Sequence, residues 1–473
     1  MKKTGDEYFD SEDFHNLLED YEKAISTGQP VFMDADELAE IADYYQMQDR
    51  LDDAEVAIRH ALSLSPGAIA PLTYRIHEAI YQGDTQKAWN YLDQIIEKNE
   101  PDYIYDRGEI LIAEGRIDEA DDYFRKEFRK VPPEEYQDFV VDVASIYSDY
   151  NISDKAMEWL SRSKPESSSD FKELMARTLF GLGKYKDSEK LFNELIDTDP
   201  FQKRYWNSLA SAQFMNEDYS KAVESSEYAI AIDPEDPDGL IAKANSLYRL
   251  GNYEQAAEYY GRYLNQEPED EFAMLHQGTC YINVGLEAEA IDCLKHAVET
   301  ASPESPYLAD IYQELAFAYS EKGDIEQAMD WLNKTDQLDC DHVQITVIKG
   351  HVSLSAGLLE EAEKYFRTAV INSDTPTQTL LRVIVSLYDN RYLEASYKML
   401  KKFFQIAGDN NNEGYAYMAL CCHDLKRYDE YLAFLKKACE INPKECQMVL
   451  NHLFPSELEP EKYYEYVKDK MKE

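Results

Sequence analysis

The sequence predicts an all-α solenoid of about 12 antiparallel helix-turn-helix repeats, closed at each end by capping helices. Three observations predict it. A single pattern is written twice within residues 204–268, where Trp206, Leu209, Ala210, Tyr219, Ala222, Ala229 and Pro234 recur 34 residues later as Leu240, Lys243, Ala244, Tyr253, Ala256, Tyr263 and Pro268. Within one period, two stripes of helical spacing flank a turn signal. A small residue marks the middle of nearly every second helix: Ala54, Ala88, Ala120, Ala156, Ser188, Ala222, Ala256, Ala290, Ala328, Ala362, then Ala395 or Ser396, with Tyr431 last. A period of this length belongs to stacked supersecondary units, each burying its apolar faces against its neighbours.

The expected organisation is an acidic N-terminal segment with a capping helix over residues 1–34, the repeat array over 35–446 and capping helices over 447–473. In the first segment Ser11 is an N-cap candidate, Phe14, Leu17, Leu18, Tyr21 and Ile25 share one helical face, and Gly28 and Pro30 end the helix. The array's logic is clearest in residues 237–270. Leu240, Ala244, Leu247 and Leu250 form one stripe, Gly251-Asn252 breaks it, and Tyr253, Ala256, Ala257, Tyr260 and Tyr263 form the second, which Pro268 ends. Ala244 and Ala256 leave room for the two helices to approach closely.

Two irregularities stand out. Residues 300–308 carry Pro303 and Pro306 and read as a longer loop; between Asp389 and Ala395 a turn residue is expected to be missing, with no glycine to mark the break. At the C-terminus a short helix runs to about Leu453, and a last helix after Pro460 places Tyr463, Tyr464, Val467 and Met471 on one face, with Lys468, Asp469, Lys470 and Lys472 among its charged residues.

The bulk numbers limit the partners. The net charge is −45, from 93 acidic and 48 basic residues, which argues against nucleic acid and anionic membrane as partners, because both are held by clustered Lys and Arg. The 37 tyrosines suit a thin two-layer array in which many rings are buried at one end and wet at the other. Lys2 and Lys3 precede Asp6 and Glu7 where a signal peptide would be apolar, and no run reaches the length of a membrane span. Seven cysteines without a CxxC pair fit reduced thiols, so the expected location is cytoplasmic.

Catalytic signatures are missing: no Gly-rich phosphate loop, HExxH or GxSxG occurs. Cys421-Cys422-His423, with Cys439, Cys446 and His452 downstream, is the nearest approach to a metal-ligand pattern, but its spacing does not match zinc, and the repeat frame puts Cys421 and Cys422 on a packed face. The expectation is therefore a non-enzyme without metal or cofactor.

These units resemble the tetratricopeptide repeat, whose pattern is matched by Trp206, Leu209-Ala210, Tyr219, Ala222, Ala229 and Pro234. It is matched again by Tyr312, Leu315-Ala316, Tyr319, Gly323, Ala328 and Leu332, and by Lys349-Gly350, Gly357, Ala362, Phe366 and Ala369. The resemblance implies a right-handed superhelix whose first helices line a concave groove. Placed on the family's groove offsets, the first four repeats contribute Asp36, Asp43, Asp102, Glu109, Asp138 and Asp149, without Lys or Arg. The middle repeats contribute Arg177, Arg204, Asn207, Phe214, Met215, Ile241, Asn245, Tyr248, Arg249, Phe272, Leu275, Ile282, Asn283 and Phe317. His77 and His351 fall on the same face, with no carboxylate at fixed local spacing.

The resemblance implies a non-catalytic scaffold or adaptor that binds a peptide or partner segment in the groove. Candidate contacts are Arg177, Arg204, Asn207, Phe214, Asn245, Tyr248, Arg249, Phe272 and Phe317. The aromatics would bury partner side chains, the asparagines would bond its backbone and an arginine would pair with a carboxylate. A chaperone-type carboxylate clamp is not expected, since Ile241 stands where its lysine would be. Two other readings stay open: an accessory subunit presenting substrate to a separate enzyme, and a self-assembling structural protein. The chain is expected to be a monomer or a homodimer.

Overall fold

The computed structural model describes residues 6–9, 11–164, 168–408, 411–455 and 458–470, so Met471 and Lys472 of the expected last helix lie outside the described residues. Among the described residues every regular element is helical. The chain forms two compact units, Met1–Glu217 and Asp218–Glu473.

The first unit holds five helix pairs: Ala35–Met47 with Leu51–Leu64, Ile69–Tyr81 with Thr85–Leu92, Pro101–Ala113 with Ile117–Phe128, Tyr136–Asp149 with Ser153–Leu160, and Ser169–Gly181 with Tyr185–Thr198; Lys203–Met215 follows. The second unit begins with Tyr219–Ile232. Six pairs follow: Pro237–Arg249 with Tyr253–Leu264, Glu271–Asn283 with Glu287–Thr300, Leu308–Glu321 with Ile325–Lys334, His342–Ser355 with Leu359–Asn372, Pro376–Asp389 with Leu393–Ala407, and Tyr415–Asp424 with Tyr428–Ile441.

One backbone device makes the turn between the two helices of each sequence copy. A single residue takes positive φ: Asp49, Gly83, Gly115, Asn151, Gly183, Glu217, Gly251, Gly285, Gly323, Gly357, Arg391 or Lys426. In the turns that lie within one unit the next residue's N–H then reaches back to a carbonyl in the last turn of the helix, as in Asn252 N to Leu247 O at 2.9 Å, and this satisfies an otherwise orphaned acceptor. The expected gap after Asp389 does not exist. Arg391 takes φ 65° and Tyr392 N bonds Leu387 O at 2.9 Å, so the turn is complete and merely lacks glycine.

The marker residues form the interior of the pairs. Ala54, Ala88, Ala120, Ala156, Ser188, Ala256, Ala290 and Ala328 have no exposed surface, and Ser396 rather than Ala395 takes the position in its copy. Where serine replaces alanine its hydroxyl is satisfied by the facing helix: Ser188 Oγ donates to Ala176 O at 2.9 Å, and Ser396 Oγ to Ile384 O at 3.3 Å. Leu250 departs from its expected stripe. It caps the helix just before left-handed Gly251, which turns its side chain outward, and 47% of it is exposed.

Both ends are closed by aromatic packing. The helix Glu12–Thr27 starts at Ser11, whose hydroxyl accepts from Phe14 N at 3.2 Å, and ends at Gly28 with φ 67°. It seats Phe14 against Tyr44, ring centroids 5.1 Å apart, and Tyr21 against Tyr45 at 6.4 Å, while Ile25 stays exposed. At the far end Phe454 stacks on Tyr463 at 3.8 Å. There the buried Glu445 of helix Pro443–Leu450 accepts from Gly414 N at 2.7 Å and Ala416 N at 3.2 Å. This carboxylate caps the helix Tyr415–Asp424, whose own N-cap is a glycine with no side chain to offer.

Residues 301–307 form the expected longer loop. Glu271 holds it by accepting from Ser302 N at 3.3 Å and from the Ser305 hydroxyl.

Candidate functional site

The predicted contact residues divide between the two units. In the first, Arg177 on the helix Ser169–Gly181 pairs with Asp149 at 2.8 Å. Arg204 pairs with Glu173 at 3.0 Å and lies over the Tyr205 ring at 5.3 Å. Asn207 and Phe214 are half-buried along the helix Lys203–Met215. Both arginines thus reach back to a carboxylate of the preceding first helix. Surface pairs of this kind are worth about 0–1 kcal/mol, so a better carboxylate could displace either partner.

In the second unit, aromatic rings from successive first helices meet. Tyr248 lies 5.1 Å from His276, and Phe272 lies tilted against His276 at 4.1 Å and meets Tyr307 at 5.8 Å. Phe317 meets His351 edge-on at 5.7 Å. All of these rings are half-buried. Asn245 Oδ1 accepts from Tyr260 OH at 2.7 Å, which fixes the amide. Arg249 is exposed; it donates to Tyr219 OH at 2.8 Å and covers that ring. Leu275 does not belong to this face: it is buried in the same core as Ile311 and Leu315 of the next first helix.

Sequence reading missed Glu314 on the helix Leu308–Glu321, whose charge acts on Tyr248. Burial raises its carboxyl pKa to about 7, with the Thr279 hydroxyl opposing the rise and the Asp310 charge adding to it. Its charge in turn helps burial lift Tyr248 to about 12. Burial also lowers the pKa of His276 and His351, which favours the uncharged ring at both.

A second group missed by the sequence lies in the first unit. His77 Nε2 stands 3.4 Å from Asp106 Oδ1 and 3.2 Å from Glu109 Oε2. Neither carboxylate is near His77 in sequence, because both come from the next first helix, Pro101–Ala113. Burial alone would lower the histidine pKa, but these two hydrogen-bonded carboxylates outweigh it and hold it at about 10. Asp43 occupies the same register one copy earlier. Burial raises its pKa to about 6, with the nearby His77 charge pulling it down.

Cys421 and Cys422 are packed as expected. Cys280, Cys421 and Cys422 are fully buried, and burial pushes their thiols up to about 12, 11 and 12. Among the described residues no helix is long and apolar enough to cross a membrane.

Models of the tetratricopeptide repeat match residues 174–237, 213–278, 309–339 and 413–445. The TPR repeat-containing protein YpiA of Bacillus subtilis is 22% identical over 294 residues, which is 62% of this chain and 68% of that protein. A TPR repeat-containing protein of Methanocaldococcus jannaschii is 23% identical over 394 residues, 76% of this chain and 67% of its own length. Among solved structures, a tetratricopeptide repeat protein from Parabacteroides merdae covers 52% of this chain and 95% of its own, at 15% identity and a TM-score of 0.43. The matched segments fall on helices joined by turns with one residue at positive φ, and over those segments this chain is built of tetratricopeptide repeats.

Proposed function

We propose that this protein is a non-catalytic interaction scaffold that holds an extended peptide segment of a partner protein against its first-helix faces. One observation carries the reading: the half-buried rings of Tyr248, Phe272 and His276, and of Phe317 and His351, on first helices of the second unit, with the Glu314 charge acting on Tyr248. Half-exposed rings on rigid helices offer large apolar contact at low entropic cost. The groups acting on the Glu314 carboxyl are Thr279 and Asp310, neither of them cationic. The partner segment that fits is therefore apolar and carries a lysine or arginine for Glu314, with Asn245 and Arg249 at the margin. In the first unit Arg177, Arg204, Asn207 and Phe214 form a separate face suited to a carboxylate-bearing segment.

The test is selection of binding peptides from a random library on the full chain, followed by affinity measurements on variants. Selected peptides should pair apolar residues with a basic one. Combining Tyr248→Ala, Arg249→Ala and Phe272→Ala should weaken them more than about a hundredfold, and Glu314→Gln about tenfold, with helical content retained. Peptides that bind the triple variant undiminished would move the site elsewhere.

A further inference from the structure

We propose that His77, Asp106 and Glu109 form a binding site for one divalent transition-metal cation of the zinc class. The three donor atoms come from two rigid helices, Ile69–Tyr81 and Pro101–Ala113, and all lie within 4.8 Å of one another. Zinc holds nitrogen and carboxylate oxygen at about 2.0–2.2 Å in a tetrahedron, which places neighbouring donors roughly 3.3–3.5 Å apart. The His77 contacts, 3.4 and 3.2 Å, lie within or just below that spacing. Nε2 also carries at most one hydrogen, enough for one good bond to one carboxylate, whereas a cation between the three satisfies both.

The surrounding groups orient the donors from outside. Thr73 Oγ1 donates to Asp106 Oδ2 at 2.6 Å, and Tyr150 OH to Glu109 Oε1 at 3.2 Å. In each carboxylate the far oxygen is thus held, and the near one is left facing the imidazole, the outer-shell arrangement that sets ligand geometry at metal sites. An imidazole with two carboxylates suits zinc and its first-row neighbours, while calcium and magnesium call for more oxygen donors. Two carboxylates and a neutral imidazole carry a charge of about −2, which a divalent cation neutralises. Asp106 is buried, but about a third of the His77 side chain is open, so a fourth position is reachable by water or by a partner's side chain.

The test uses the full chain, freed of metal with a chelator and titrated at pH 8 with zinc chloride by calorimetry and with cobalt(II) by absorption. Proton and cation compete for Nε2, so the alkaline side favours binding. The expected result is one equivalent per chain at micromolar affinity. His77→Ala and Glu109→Gln should each weaken it at least about tenfold. Zinc should raise the melting temperature of the parent chain and of neither variant. The two substitutions differ in kind, so failure of one to fold leaves the other to decide. Three results would overturn the site: no binding below millimolar zinc, affinity unchanged in either folded variant, or a cobalt–thiolate charge-transfer band tracing the ion to cysteine. None of them bears on the peptide face of the second unit.

Discussion

Gly350 faces the ring of Phe366 so closely that a Cβ on the glycine would stand 2.5 Å from the ring's Cε1. The contact repeats elsewhere, Gly108 against Phe124 and Gly278 against Leu294, always between a first helix and the second helix of its own pair. Glycine within a helix costs about 1 kcal/mol against alanine, so these positions give up helix propensity for close packing.

Overpacking should therefore outweigh propensity. Gly350→Ala should destabilise the second unit by about 1–3 kcal/mol, and adding Phe366→Leu should recover part of the loss. Urea denaturation of the single and double variants measures both. A stabilised Gly350→Ala chain would show that the ring moves aside freely.

Turn residues at positive φ give a prediction of opposite sign. Lys426 and Arg391 hold φ 59° and 65°, a conformation that costs a side-chain-bearing residue about 1–2 kcal/mol. Lys426→Gly should raise stability by about 1 kcal/mol, and Gly251→Ala, at φ 77°, should lower it by a similar amount. Thermal melting of the two variants, compared with the parent, reads both directions.

Loss of the cap at the C-terminal end should be felt locally. Glu445→Ala leaves the Gly414 and Ala416 N–H groups without their acceptor in a buried place, at a cost of about 1–3 kcal/mol. Amide hydrogen exchange should show lost protection across Tyr415–Asp424 while the first unit is unchanged.

Glu314 gives a pH dependence with a definite sign. Its folded pKa of about 7 lies above the ordinary value of 4.5, so the native state holds a proton that the unfolded chain releases. The stability due to the protonated form is complete below about pH 4.5 and is lost as pH rises through 7, on the order of 3 kcal/mol at most. Glu314→Gln should equal the parent near pH 4.5 and exceed it by about 1–3 kcal/mol at pH 8. Denaturation at the two pH values decides it; an equal difference at both would mean that Glu314 does not titrate in this window.

What the sequence determined is whatever repeats. The 34-residue period, the small residue in nearly every second helix and the turn glycines are local signals, and each recurs often enough to be legible without coordinates. Where a signal was replaced rather than repeated, the reading slipped. Arg391 makes the same turn as Gly251, but only backbone torsion reveals it, since no side chain advertises a left-handed residue. Ser396 and Ala395 were equivalent as small residues until the hydroxyl found the Ile384 carbonyl.

Tertiary structure alone decided which charges meet. His77 has no carboxylate near it in sequence, yet stacking one first helix on the next sets it between Asp106 and Glu109. The same stacking gives Arg177 and Arg204 their carboxylates and brings the Glu314 charge to bear on Tyr248. The physical reason is the same in every case. Helical periodicity fixes which face a residue occupies, whereas its electrostatic partner depends on how far one helix slides and turns against its neighbour, and in this array that offset is set by the packing of rings and small residues between helices.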